Sequence, residues 1–376
     1  MIQGIDISLL VGPGVPVPAP REVIEALENV RVEENAGDTP SGFELMFSVD
    51  KDSPLNTLFL LSGGTTLPIL RVALVATING QATPLINGVV TRTDIRPGSG
   101  GEPAQLSVKG KDLTAAMDVI DFSGLIPYPA MPPEARVALI LAKYAWLGII
   151  PQVIPSLEGP PLPTEVIPRH QDTDLDYIRR LAQEAGYTFF MKPGPAPATS
   201  FAYWGPDIRM GDVQPALTMD SGAADTCESL SFSFDKEQSE IPIVYIHNAL
   251  TKAPIPIPIP GQIPFQPPLG AVPPLPPKIT RLRDTARLNP LQALARGFAQ
   301  AAQNSDAVTG TGSLDVLRYG RVLRARGLVG VRGAGRAFDG VHYVQQVSHD
   351  LSRGKYKQSF TLKRSGLLPA RASIPA

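Results

Sequence analysis

Residues 42–49 read Gly42-Phe-Glu-Leu-Met-Phe-Ser-Val49. Phe43, Leu45, Phe47 and Val49 fall on one side of an extended chain, and Glu44, Met46 and Ser48 on the other. A period of two marks a half-buried β-strand, because successive side chains of a strand point to opposite faces. The strand pattern continues through 69–78, 85–93 and 105–110. Asn79-Gly80, Asn87-Gly88 and the glycine-rich stretch 97–101 supply turn residues between them. Four strands at this spacing predict a sandwich or small barrel.

The period returns after Glu228, where Leu230, Phe232 and Phe234 share a face, and again over 243–247, 322–331, 341–348 and 358–363. Two hairpins echo each other. One runs from Val89 through Asp94-Ile-Arg-Pro-Gly98 to Gln105-Leu-Ser-Val-Lys109; the other runs from Val341 through Asp350-Leu-Ser-Arg-Gly354 to Gln358 and Lys363. The echo predicts a duplicated β-unit flanking an insert.

Between the β-rich parts the periodicity becomes helical. Pro132 and Pro133 open a helix whose apolar face holds Val137, Leu139, Ile140, Leu141, Tyr144 and Leu147, ending at Gly148. A second helix starts at a capping box, Thr173 with Asp176, and Asp174 and Asp176 place negative charge at the positive end of the dipole. Leu175, Ile178, Leu181, Ala182 and Ala185 form its stripe and Gly186 stops it. Short strands at 187–191 and 201–204 make this block α+β. A further helix is predicted over 290–303.

Residues 253–278 contain eleven prolines. Proline lacks a backbone donor, so this segment is excluded from sheet interiors and predicts an extended arm of up to about 80 Å if straight. The chain holds 40 prolines in all, each expected in a turn, strand edge or extended connection.

Composition removes several function classes. With 34 basic and 35 acidic side chains, no global field draws the chain to nucleic acid or anionic lipid. Charged residues make up only 18%, consistent with surface hidden in protein interfaces. The apolar run 67–78 contains Pro68 and Arg71 and is too short to span a bilayer. The first twenty residues lack a basic start and are broken by Gly12, Pro13, Gly14 and Pro16, so no signal peptide is expected. The expected product is made soluble in the cytoplasm. Cys227, the sole cysteine, reads as a small buried apolar residue.

No catalytic, cofactor-binding or metal-ligating constellation emerges. The four histidines, His170, His247, His342 and His349, lie outside any metal-ligand spacing. His342 and His349 are seven apart on one predicted strand and are expected on opposite faces, in surface or interface roles. Asp172, Asp174 and Asp176 alternate as in a calcium loop but lack its glycine and distal glutamate, and capping explains them. Gly330 to Gly335 lacks the last glycine of a dinucleotide fingerprint. Arg179 and Arg180 with Glu184 fit a solvated helix face or an anchor for a neighbouring subunit. Arg318, Arg321, Arg324, Arg326, Arg332 and Arg336 are expected along one sheet face, as a channel wall or interface; without interleaved aromatics they do not fit sequence-specific nucleic-acid recognition.

The stretch Arg169-His-Gln-Asp-Thr-Asp-Leu-Asp-Tyr-Ile-Arg-Arg-Leu-Ala-Gln-Glu-Ala-Gly-Tyr-Thr-Phe-Phe190 closely resembles the signature of the phage late control protein D and VgrG family, the baseplate hub of contractile tails and injection systems. Leu85-Ile-Asn-Gly-Val-Val-Thr-Arg-Thr-Asp94 looks like the family's first-barrel strand. Gly340-Val-His-Tyr-Val-Gln-Gln-Val-Ser-His-Asp350, followed by Phe360-Thr-Leu-Lys-Arg364, looks like its ending. The resemblance implies a mainly β (α+β) chain: two tail-tube-like β-barrel domains with an α/β insertion and a proline-rich extended arm. The expected division is a first barrel over 1–110, an insert over 111–225, a second barrel over 226–365 interrupted by the arm at 253–278, and a tail over 366–376.

By the same resemblance Asp174, Leu175, Asp176, Tyr177, Arg180 and Leu181 are assembly-motif residues, and Gly340, Tyr343, Val347 and His349 belong to the second barrel. The implied function is a non-enzymatic homotrimeric hub, without cofactors, in a baseplate, matching a sixfold inner tube to a threefold spike. Its implied partners are itself, the inner tube protein, other baseplate components and a separate spike protein, because the chain stops where a spike extension would begin. The arm has no family counterpart and is expected to pack on a neighbouring subunit or another baseplate component. The alternatives are a tail-associated cell-wall hydrolase, for which no carboxylate pair stands out, a glycan- or peptide-binding tail module, which leaves the capped helix unexplained, and a tail-tube or tail-completion protein, which would be shorter, with one barrel.

Overall fold

The alternation at 42–49 is realised residue by residue: Phe43, Leu45, Phe47 and Val49 are buried, and the residues between them are half-exposed. The computed structural model describes residues 4–50, 55, 59, 69–98, 103–164, 166–220, 222–238, 240–247, 254–259, 266–275, 278–282, 290–303 and 305–370. Strands dominate, as expected for a mainly β chain.

The first unit begins with β1 (Ile5–Pro13) and a short β2 (Val17–Pro18). Five strands follow: β3 (Leu27–Asn35), β4 (Gly42–Val49), β5 (Leu70–Ile78), β6 (Gln81–Arg96) and β7 (Ala104–Asp112). They lie in the order β3-β4-β7-β6-β5, every neighbouring pair antiparallel, with β1 against the far side of β5. Asn79-Gly80 makes its expected turn, whereas Asn87-Gly88 lies in the interior of β6. Asn87 is buried and serves as a side-chain linker, and a Cβ at Gly88 would sit 2.2 Å from the Lys111 carbonyl oxygen. That pair is therefore spent on close packing rather than on reversal. The stretch 97–101 lies partly outside the described residues.

The insert carries helices Pro133–Ala142 and Asp174–Ala185 over a small sheet. In that sheet β8 (Ile149–Val153) runs parallel to β10 (Ser200–Gly205), and β9 (Thr188–Pro193) runs antiparallel to β10. Val137, Ile140, Leu175, Ile178, Leu181 and Trp204 form the centre of its own apolar cluster.

The second unit repeats the first. After β11 (Val213–Thr218) come β12 (Cys227–Phe234), β13 (Glu240–His247), β14 (Pro254–Pro258), β15 (Gly270–Val272), β16 (Lys278–Arg281), β17 (Val308–Asp315), β18 (Leu328–Arg332), β19 (Gly340–Ser352), β20 (Lys355–Arg364) and β21 (Leu367–Pro369). Five of these lie in the order β12-β17-β20-β19-β18, again all antiparallel, which is the first unit's topology strand for strand. The irregularities match too. A bulge breaks β3 between Leu27 and Asn29 opposite Phe47 and Met46, and β12 breaks between Cys227 and Ser229 opposite Leu314 and Ser313. Another falls between Val90 and Arg92 in β6 and between Val344 and Gln346 in β19. Bulges are specific local devices, so two in register support a duplicated unit far better than the echoing hairpins do.

The units join edge to edge. β19 pairs with β18 through Gly340–Tyr343, then crosses its bulge and pairs with β3, from Gln346↔Asn35 to Ser352↔Asn29. A single 13-stranded sheet results, and one apolar core runs through both units.

Two readings are corrected here. Residues 322–331 are not one strand: β18 starts at Leu328, after a short Val316–Tyr319 helix capped by Asp315 and a loop. The described parts of the proline-rich segment, 254–259 and 266–275, stay out of sheet interiors, but they do not run on as one straight arm. β14 folds back on β13, and β15 pairs with β21. Pro254, Pro256 and Pro258 alternate along β14, the outer strand of its sheet, so their donorless nitrogens face away from the ladder while Ile255 and Ile257 serve it. The Pro290–Gln303 helix packs Ala293 and Ala301 against Val244 and Ile259.

Candidate assembly interface

The Asp174–Ala185 helix is held at both ends as its sequence demands. Thr173 Oγ1 accepts from the Asp176 amide at 3.3 Å, and Gly186 closes the helix at φ 70°. Asp174, however, does more than favour the dipole. It is completely buried and accepts from Lys143 Nζ at 2.7 Å and from Tyr144 OH at 2.6 Å. The His170 ring stands 3.4 Å away, and its Nδ1 contacts Tyr128 OH at 2.8 Å. Burial pushes His170 below its ordinary pKa, against the pull of the Asp174 charge. Asp174 thus ties the two helices and the Tyr128 loop together.

Leu175, Tyr177 and Leu181 are buried in the same cluster. Arg180 reaches back to Asp172 at 3.0 Å and lies over the Tyr177 ring at 5.3 Å. Arg179 donates to the Asp38 carbonyl at 2.9 Å, which docks the helix on the β3–β4 turn. Of the six motif residues only Asp176 is exposed. The motif residues therefore build the insert, and Arg179 beside them seats it on the first unit.

The second motif lies at the seam. Val347 is in the core, and Tyr343 is buried beneath the Arg209 guanidinium at 4.5 Å. Both histidines on β19 are buried, which corrects the surface reading. His342 sits 3.3 Å from the Gly340 carbonyl, and burial pushes its pKa down to about 3. His349 Nδ1 receives Tyr356 OH at 2.7 Å and Gln358 Nε2 at 3.2 Å, which places the ring proton on Nε2, facing Glu34 at 3.5 Å. Glu34, on β3, also takes Arg324 at 3.1 Å and the Ala325 amide at 3.2 Å. Burial would raise its pKa, but Arg324 and His349 together hold it down at about 2. A carboxylate of one unit is thereby neutralised by cationic and hydrogen-bonding groups of the other.

The six arginines of the C-terminal third do not line one sheet face. Arg318 lies on the short helix, Arg324 is spent on Glu34 and the Pro84 carbonyl, and Arg326 covers the Phe190 ring at 4.2 Å. Their proximity in sequence is dispersed by the helix and loop before β18.

Sequence reading missed two buried arginines. Arg71 sits inside the apolar strand β5 and donates to the Gly14 carbonyl at 2.6 Å, the Ala198 carbonyl at 3.0 Å and Asn87 Oδ1 at 3.0 Å. Asn87 passes the link to Ser200 Oγ at 3.0 Å, so this chain of bonds staples the first unit to the insert. Arg364 donates to the carbonyls of Ala337, Phe338, Asp339 and Gly366. For Arg71 the available signal was an arginine inside an otherwise apolar strand, since a buried cation must find acceptors.

A cavity of about 880 Å³ lies between the seam, the insert and the Pro290–Gln303 helix, lined in part by Asp38, Gly186, Leu291, Phe298 and Tyr343. A partly buried cation on its wall, Arg209, is paired with Asp306 at 2.6 Å and Asp207 at 3.1 Å. Burial drives the Cys227 thiol up to about 11. Among the described residues no group of three His, Cys, Asp or Glu side chains is placed to hold a metal ion, and no helix is long and apolar enough to cross a membrane.

The whole chain superposes on solved tail proteins. A tail protein from Neisseria meningitidis MC58 matches with a TM-score of 0.62 at 14% identity, over 97% of this chain and 98% of that one. The 43 kDa tail protein of prophage MuSo2 from Shewanella oneidensis matches with a TM-score of 0.60 at 13% identity, over 96% and 99%. A chain of the half-lidded Francisella PdpA–VgrG complex matches at 0.53 and 9% identity, over 100% of this chain and 60% of that one. At these identities the likeness is one of fold. No protein-family model and no curated protein matches the sequence.

Proposed function

We propose that this chain is a structural baseplate hub of a contractile tail or injection system, without enzymatic activity. Three copies form a ring that joins the sixfold inner tube to a separate threefold spike protein, with other baseplate components around it. The observation that carries this reading is the doubled five-strand unit with its matching bulges. A chain holding two equivalent units side by side presents six around a threefold axis. That is the geometry needed between rings of different symmetry. The full-length likeness in fold to two tail proteins supports the same setting.

In this reading 1–110 and 226–365 are the two ring-forming domains, and 111–225 is an insert that the Asp174–Ala185 motif seats against the ring. The segment 253–278, beyond the pieces that pair within the chain, packs on a neighbouring subunit or baseplate component. Light scattering of the purified chain and copy-counting in isolated particles test the proposal. The expected result is three copies per particle. A stable monomer that cleaves cell wall would sink it.

A further inference from the structure

The Pro290–Gln303 helix is apolar on two sides. On one, Ala293 and Ala301 pack against Val244 and Ile259, and a Cβ at Gly297 would sit 2.6 Å from the Val244 side chain. On the other, Leu291, Ala295 and Ala299, spaced four apart, form a row along the cavity of about 880 Å³. A helix apolar on both sides calls for cover on both. Leu291 is nevertheless 55% exposed. Leu157 of the insert is 79% exposed and Ile208 is 39% exposed, and both line the same cavity. Three separate segments thus bring exposed apolar side chains to one hollow. Apolar hollows of about 300–1,000 Å³ where domains meet are where proteins hold small molecules.

Part of the wall is polar without charge. Tyr343 is only 3% exposed, and its hydroxyl makes no hydrogen bond among the described residues. That oxygen is not one of the fully enclosed polar atoms, so it opens on the cavity that Tyr343 lines. Burial, and then the Asp207 charge, hold its pKa above the ordinary tyrosine value, so the hydroxyl keeps its proton. Gln345 is the extra residue of the β19 bulge, a device that re-aims a side chain. It also lines the cavity, and its carboxamide makes no hydrogen bond among the described residues. The charges nearby are engaged. Asp306 and Asp207 hold Arg209, Asp38 accepts from Thr188 Oγ1 at 2.7 Å, and Lys363 donates to Thr309 Oγ1 at 2.9 Å. Glu158, half-exposed on the same wall, adds a negative charge.

We propose that this cavity binds a single-chain amphiphile with an uncharged hydrogen-bonding head, such as a fatty alcohol. The tail lies along Leu291, Ala295 and Ala299, and the head exchanges hydrogen bonds with the Tyr343 hydroxyl and the Gln345 carboxamide. A carboxylate head would meet Asp207 and Asp306. An ammonium head would meet Arg209, whose guanidinium lies 4.5 Å over the Tyr343 ring. Either charge would leave water for a place whose counter-ions are taken.

Dodecanol, dodecanoate and dodecylamine share one tail and differ in head charge. Each is used below its micelle-forming concentration to displace the neutral dye N-phenyl-1-naphthylamine from the full chain. Dodecanol is expected to displace the dye at about one tenth of the concentration that either ion needs. Tyr343→Phe keeps the ring and removes the hydroxyl, and weakens dodecanol about fivefold while dye binding stays at the parent's level. Ala299→Phe fills the path of the tail and weakens dye and dodecanol about tenfold. Leu291→Gln, at an exposed position, weakens both in the same direction and serves where Ala299→Phe does not fold. The proposal is overturned by absence of dye and dodecanol binding, or by binding that the cavity variants leave unchanged. It is equally overturned by an ion that matches dodecanol, or by a Tyr343→Phe protein that binds dodecanol as the parent does. None of these readouts depends on how many copies associate, so the cavity reading can fail while the hub reading stands.

Discussion

The two β-units share a ladder and differ at its end. Asp112 closes β7 and Arg364 closes β20, and both are buried at equivalent places, two residues beyond Gly110 and Leu362. Asp112 accepts from the Ser41 amide at 2.8 Å and the Thr114 amide at 3.0 Å, capping the turn that leads into the insert. Arg364 does the reverse, donating to four carbonyls of the loops around β21. A turn that starts a helix leaves unpaired amides, and a loop folding back on a sheet leaves unpaired carbonyls. Duplicated strands can thus keep one topology while the charge at a given position inverts, because that charge answers to whatever backbone groups the following segment leaves unsatisfied.

The largest effect comes from breaking this arrangement. Arg364→Met takes the guanidinium away from four carbonyls, of which Ala337 keeps the Leu368 amide as a donor, and is expected to cost about 4 kcal/mol in urea unfolding. If the loss is no greater than that of an exposed arginine such as Arg21, the cage is not holding the second unit together. At the seam, Leu351→Ala removes a fully buried side chain paired with Val30 and should cost about 3 kcal/mol by the same measurement.

A smaller effect is expected from Glu34, whose pKa of about 2 lies below the ordinary 4.5. Its contribution is complete above the unfolded value and is lost as pH falls from about 4.5 toward 2. The amplitude is about 2 kcal/mol, reduced because Arg324 is 30% exposed. Acid titration of stability should therefore lose this limb in Glu34→Gln. A variant whose acid limb matches the parent would remove Glu34 from the account.

How much of this was legible depended on how local its cause was. The alternation of β4 and the capped Asp174–Ala185 helix were readable because each is set by residues within one turn or strand. β17 was not, although it is central to the second unit. Its Val308-Thr-Gly-Thr-Gly-Ser313 stretch lacks bulk because neighbouring rings fill the space: a Cβ on Gly310 would lie 2.5 Å from Phe232, and one on Gly312 2.7 Å from Phe360. β3 was hidden by its outward Glu28, Arg31 and Glu33 and by Glu34, whose partner Ala325 lies 291 residues away. The capped helix is legible but the part Asp174 plays in it is not: that Asp174 is a buried acceptor depends on Lys143 and Tyr144, which only the fold brings to it.

The smallest effect is the most discriminating for the contrast between the two units. Ile95 lies five residues beyond Val90 on β6, as His349 lies five beyond Val344 on β19, and those valines pair with Gly110 and Leu362 at equivalent places. His349 is completely buried, yet Ile95 remains 43% exposed. Ile95→Ala therefore uncovers little new apolar surface, and its cost in urea unfolding should stay below about 0.5 kcal/mol. A loss as large as that of Leu351→Ala would mean that Ile95 is covered in the folded chain as His349 is.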